Sequence, residues 1–185
     1  MSGRGRALLA ALLGALAVGS LSVVAATPPL KLAAEHAALG RDEGSWDTTI
    51  VIPIGPPGSK PETSKGVEVD RLCCGGLWLI KEYKSDPSKP PFEGHGIIGF
   101  DPGKKKYVAV WVDSELTTPM ISEGTYDAST RTMTMRGSMS ANGKELRWRE
   151  VTVWKDDDTR QFTTYRPGPD GREAASMSIT STRQK

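Results

Sequence analysis

The chain has 185 residues and carries 24 Lys and Arg against 22 Asp and Glu, a formal net charge of +2. Both surplus positives are Arg4 and Arg6, so the remainder from Thr27 onward is neutral. A neutral chain of this size fits one domain with a real core, and it lacks the basic footprint of a nucleic-acid binder.

Residues 1–26 read as a signal peptide. Arg4 and Arg6 open it, Ala7 to Val24 holds no charged residue, and Val24-Ala25-Ala26 offers small residues for cleavage after Ala26. The expected location is therefore periplasmic or secreted. Left uncleaved, the same apolar run would serve as a marginal membrane anchor. No Cys stands near the end of the run, so lipoprotein attachment has no site. Arg4 and Arg6 are not adjacent, which leaves a twin-arginine route unsupported.

Residues 27–42 form a Pro-Pro linker and the only helical-looking segment, about 30–39. From residue 43 to 185 the period changes. Short runs rich in Val, Ile, Thr, Tyr and Trp alternate with Gly, Pro, Asp and Lys clusters. They predict strands near 45–53, 64–73, 76–84, 95–101, 106–113, 119–127, 131–138, 145–154, 159–166 and 174–182. About ten strands with hairpin-length links describe an all-β, antiparallel up-and-down barrel. Asp101-Pro102-Gly103-Lys104 and Ala141-Asn142-Gly143-Lys144 carry the strongest turn chemistry. Two longer loops, 53–62 and 85–93, are expected at the barrel mouth.

Alternation assigns faces. Trp46, Thr48, Ile50 and Ile52 share one side, as do Met133, Met135, Gly137 and Met139. On the strand near 145–154, Leu146, Trp148, Thr152 and Trp154 oppose Arg147, Arg149, Val151 and Val153, and the pattern does not say which set looks inward. An inward Met and Trp lining suits a packed core or an apolar ligand cavity. The cavity candidates are Trp46, Trp111, Met133, Met135 and Trp148, with Arg149 as an anchor for a ligand carboxylate. The bland reading of Arg147 and Arg149 is a solvated pair facing Glu on a neighbouring strand.

Several motifs carry less than they suggest. Gly94-His95-Gly96-Ile97-Ile98-Gly99 spells the dinucleotide fingerprint, but it runs into a turn where the fingerprint opens a helix. Cys73 and Cys74 are the only cysteines. As strand neighbours they would point to opposite faces, which makes them small apolar fillers and a strained vicinal disulfide the rarer alternative. His36 reads as a surface or cap residue of the short helix. His95, with Glu93 or Asp113, is the one enzyme-like grouping, and it lacks a second His or a spaced Cys. No catalytic set, cofactor motif or metal site is legible.

His36-x-x-Leu39, Gly44-Ser45-Trp46 and Gly94-x-Gly96-Ile97-Ile98-Gly99-Phe100-Asp101 resemble the bacterial family known as domain of unknown function 1579. The resemblance continues through Tyr107 to Ser114, Glu123-Gly124-x-Tyr126-Asp127 and Met177-x-Ile179-x-x-Thr182-Arg183. It implies a lipocalin-like barrel in which a Trp such as Trp46 closes the floor. Related ten-stranded barrels bind haem through a histidine late in the chain, and no His follows His95 here. The expectation is an exported barrel binding a small apolar or amphipathic molecule. The alternatives are an envelope interaction module with a filled barrel, or an enzyme using His95.

Overall fold

The computed structural model describes residues 32–185 apart from 56, 57, 89, 142 and 169. The signal segment and the start of the linker therefore lie outside the described residues. A 3-10 helix, Ala34–Arg41, precedes ten strands: β1 (Gly44–Ile52), β2 (Glu62–Cys73), β3 (Trp78–Ser85), β4 (Glu93–Asp101), β5 (Lys106–Asp113), β6 (Met120–Asp127), β7 (Thr132–Ala141), β8 (Lys144–Trp154), β9 (Thr159–Pro167) and β10 (Glu173–Arg183). Each pairs antiparallel with its sequence neighbours, and β10 returns to β1, closing an up-and-down barrel. All ten expected strands are present, with ends displaced by a few residues.

The turns hold for local reasons. Asp101 Oδ1 accepts the N–H groups of Gly103 and Lys104, and Asp127 Oδ1 accepts that of Ser129, so each Asp folds the chain back on itself. The expected helix over 30–39 is a 3-10 helix from Ala34. His36 caps it by accepting the Ala33 N–H on Nδ1. His36 is buried rather than surface-facing, and its ring meets Phe100 edge-on.

The 3-10 helix closes one end of the barrel. Its Ala38 and Leu39 join Leu79, Tyr107, Met133, Met135 and Trp154 in the core cluster. The Tyr107 hydroxyl donates to the Glu35 carbonyl at 2.7 Å. The other end is ringed by the loops after β1, β3, β5, β7 and β9, which include both long loops anticipated at the mouth.

The glycines that mimic a nucleotide fingerprint have a packing role. A β-carbon on Gly94 would overlap the Trp111 ring, and one on Gly99 would overlap Trp78. By register Gly94 and Gly96 face inward, so Trp111 lies flat against the inner wall on bare backbone.

The cysteine expectation needs correction. β2 ends at Cys73, and Cys74 opens a short turn with φ +55°, exposed to solvent. The left-handed residue turns the second side chain back toward the first, and the Sγ atoms stand 3.4 Å apart as free thiols. Cys74 is therefore no strand filler.

Candidate functional site

Register and alternation place one face of every strand inside the barrel, and the inner wall divides into two zones. Toward the helix-covered end lies a floor built on Trp46, which has no exposed surface. Its indole N–H donates to the Asp42 carbonyl at 2.8 Å. Arg160 lies over the ring at 4.2 Å and Arg183 at 4.1 Å, a cation–π sandwich. Trp154 ties the same turn from the opposite wall, donating to Asp42 Oδ1 at 2.7 Å.

Five charged side chains meet on this floor. Arg160 Nη1 contacts Asp42 at 2.6 Å and Asp70 at 2.9 Å, while its Nη2 pairs with Glu68. Lys81 lies 2.9 Å from Glu68, 3.1 Å from Asp70 and 3.5 Å from Asp42. Strand register explains the meeting: Asp70 pairs with Lys81 and Glu68 with Tyr83, while β9 brings Arg160 from across the barrel. Two cations among three carboxylates leave one acid in excess. Burial works to raise all three acids. At Asp42 and Glu68 the charges of Lys81 and Arg160 outweigh it and hold the carboxyls below their ordinary range. At Asp70 burial wins over Lys81, with repulsion from Glu68 added, and the carboxyl is pushed up to about 7. Its Oδ1 is buried without a hydrogen-bond partner.

The zone toward the mouth is different. Ile50, Phe162, Met177 and Ile179 share the inward parity of Thr48, Thr164 and Ser181, yet each is only half-buried. Trp111 is also half-buried and donates to Asp113 at 3.0 Å. Leu146, on the inward face near the start of β8, is 41% exposed. Between the zones sits Glu150, paired in register with Met135 and Thr164. Burial raises its carboxyl, against smaller opposing hydrogen bonds from Ser122 and Trp148. No ion pair holds it among the described residues.

The candidate residues sort unevenly onto this wall. Trp46, Met133, Met135 and Trp148 are buried, each at most 5% exposed. Trp148 packs over Gly137 and donates to the Ser122 hydroxyl at 3.0 Å. Trp111 alone of the six stands in the half-open zone. Arg149 is on the outer face, because its neighbour Trp148 points in and successive strand residues alternate. There it binds Glu173 at 2.7 Å and stacks on Tyr165 at 3.9 Å. It cannot reach a ligand in the barrel; the arginine that enters is Arg160, already committed to three carboxylates. His95 is exposed on the outer wall, while Asp113 has the inward parity of Gly94. His95 and Asp113 therefore do not converge, and Glu93 shares only the solvated outer face with His95. Among the described residues no cluster of three or more His, Cys, Asp or Glu could hold a metal ion.

Sequence reading missed Glu68, Asp70, Lys81, Glu150 and Arg160. One signal was available: Glu150 shares the parity of Trp148, Thr152 and Trp154.

A closed ten-stranded up-and-down barrel with a Trp–Arg floor, one helix-covered end and one ringed by loops is a lipocalin-like barrel. Within that class, the sequence pattern of the protein of unknown function family DUF1579 matches residues 31–183, and the chain belongs to this family. No curated protein matches the sequence. Among solved structures, Rv2717c from M. tuberculosis is similar at 16% identity and TM-score 0.60, over 84% of this chain and all of that one. The S-type phycobiliprotein lyase CPES from Guillardia theta is similar at 11% identity and TM-score 0.56, over 84% of this chain and 94% of that one. At such identities the shared property is the fold.

Proposed function

We propose that this protein is an exported barrel that holds a small apolar or amphipathic molecule in the half of its interior toward the mouth. The observation that carries the reading is the contrast along the inner wall. Trp46, Leu79 and Trp154 are sealed at the floor, whereas Ile50, Ile179, Met177, Trp111 and Leu146 of the same parity keep accessible apolar surface around the buried Trp148 and Thr164. Apolar surface that folding leaves accessible inside a concave wall is what a small ligand covers. The mouth-side loops then act as its rim. Export rests on residues 1–26, whose charge and apolar pattern match a cleaved signal. Among the described residues no helix is long and apolar enough to cross a membrane.

Native mass spectrometry of the full-length gene product, isolated from the exported fraction without denaturation, tests both parts. A chain starting at Thr27 with a bound small molecule that leaves on denaturation is the expected result. A bare chain starting at Thr27 would favour a filled barrel acting through its loops. A chain retaining Met1 in the membrane fraction would overturn cleavage.

A further inference from the structure

The charges on the inner wall specify what kind of amphiphile the barrel takes. At the rim, the inward-parity residues Glu62, Asp113, Lys144 and Arg166 balance two against two, and all lie at strand ends near solvent. At the floor, Lys81 and Arg160 are consumed by Asp42, Glu68 and Asp70. Between these layers the wall carries one carboxyl and no cation: Glu150, among Met135, Thr164, Ser122 and Trp148. Every cation on the inner wall already has acids beside it or stands at the solvated rim, and the unmatched charge is a carboxylate.

Resting on the ligand-binding reading above, we infer that the barrel's ligand is a cationic amphiphile, an amine-bearing molecule whose charged end meets Glu150 and whose apolar body lies along Ile50, Ile179, Met177 and Leu146. This reverses the polarity expected from an inward Arg149. An anionic head at the same depth would face Glu150 and the surplus acid of the floor, both repulsive. An ammonium instead supplies the ion pair that Glu150 lacks, in a place where burial strengthens it. The geometry suits a chain of moderate length. From Glu150 to Lys144 the strand runs six residues, about 15 Å along the axis at ordinary rise and barrel tilt. On β8 that stretch carries the buried Trp148 and then Leu146, which is 41% exposed.

The test compares three probes of one tail length on the exported protein at pH 8: dodecylamine, dodecan-1-ol and dodecanoate, titrated calorimetrically. The amine is expected to bind about tenfold tighter than the alcohol, the value of one charge-assisted hydrogen bond, with the acid weakest. Glu150→Gln keeps the shape and is expected to abolish the amine's advantage, bringing amine and alcohol affinities together. Thermal unfolding of this variant in parallel confirms that the barrel is intact. A second measurement needs no variant. Lowering the pH protonates Glu150, whose carboxyl already sits above its ordinary range, so amine affinity falls and alcohol affinity does not. The rim acids Glu62 and Asp113 and the floor acids Glu68, Asp70 and Asp42 face the same space, and Glu150→Gln isolates the Glu150 contribution from theirs. Equal binding of all three probes, or an amine preference that survives Glu150→Gln, overturns the cationic assignment and leaves a ligand cavity standing. Binding of none of them overturns the cavity as well.

Discussion

The two ends of this barrel use the same strands to opposite purposes. At the floor, alternate residues of β1, β2, β3, β8 and β9 converge so tightly that Trp46 and Leu79 lose all contact with solvent, and five charges are interlocked beneath them or beside them. Toward the mouth on the same wall, Ile50 and Phe162 are apolar and half-open, while Thr48, Thr164 and Trp148 stay buried and Glu150 brings in a carboxyl. The floor is where stability resides; the mouth half retains apolar surface that the fold itself does not cover. The difference teaches that a filled core and a binding surface can be consecutive segments of one inner wall.

The comparison breaks most visibly at Arg160. Arg160→Met keeps bulk over Trp46 but leaves Glu68, Asp70 and Asp42 with Lys81 alone. Removing one member of a buried ionic network costs about 3–5 kcal/mol, read from the shift of the urea unfolding midpoint. A loss under about 1 kcal/mol, the value of a solvated pair, would show that the floor is wet.

Leu79→Ala and Ile50→Ala delete the same number of carbons from the two zones. The first is expected to cost about 2–5 kcal/mol and the second less than half as much, because Ile50 is already half-exposed in the folded chain. Equal costs would mean that the mouth half is as closely packed as the floor.

Asp70 gives the floor a pH signature. Its folded-state carboxyl is raised from an ordinary 3.8 to about 7, by burial and by repulsion from Glu68. A raised acid contributes stability that is complete below the ordinary value and is lost as the pH climbs through about 7, so the protein loses stability across that window. Asp70→Asn is uncharged throughout. It is expected to match the parent near pH 4 and exceed it at pH 8, by an amount on the order of a few kcal/mol. Urea midpoints at the two pH values decide it, and a variant weaker at pH 8 would show that the ionised Asp70 is needed there.

Arg149→Ala is the smallest effect. Its pairing with Glu173 and stacking on Tyr165 lie on the outer wall, and the expected loss is under about 1 kcal/mol with no change in ligand binding.

The strands and turns were legible because period-two alternation and Asp-, Gly- and Pro-based turns are local chemistry. Met133 and Met135 were readable as inward for the same reason, since Thr132, Thr134 and Arg136 oppose them cleanly. β8 was not, because Val151 and Val153 lie outside while Glu150 lies inside, so polarity no longer reports direction. The floor was hidden altogether. Glu68, Asp70, Lys81 and Arg160 look like surface charges in any short window, and only pairing between β2, β3 and the distant β9 neutralises them. Asp70 and Arg160 are 90 residues apart. Cys74 was misread because a strand was assumed to run through it, whereas a left-handed residue ends the strand and changes where its side chain points.

Closure of the barrel also sets an order in time. Arg183, on the last strand, donates to the Arg41 carbonyl 142 residues upstream and to that of Glu43, and its strand supplies the second partner of β1. A chain still lacking β10 has two unpaired edges, on β1 and β9, where the finished barrel has none. Such edges recruit other chains, and contacts this distant in sequence form slowly. Closure thus waits on the eleven residues of β10: until they pair, the other nine strands form an open sheet whose edges must be kept from neighbouring chains.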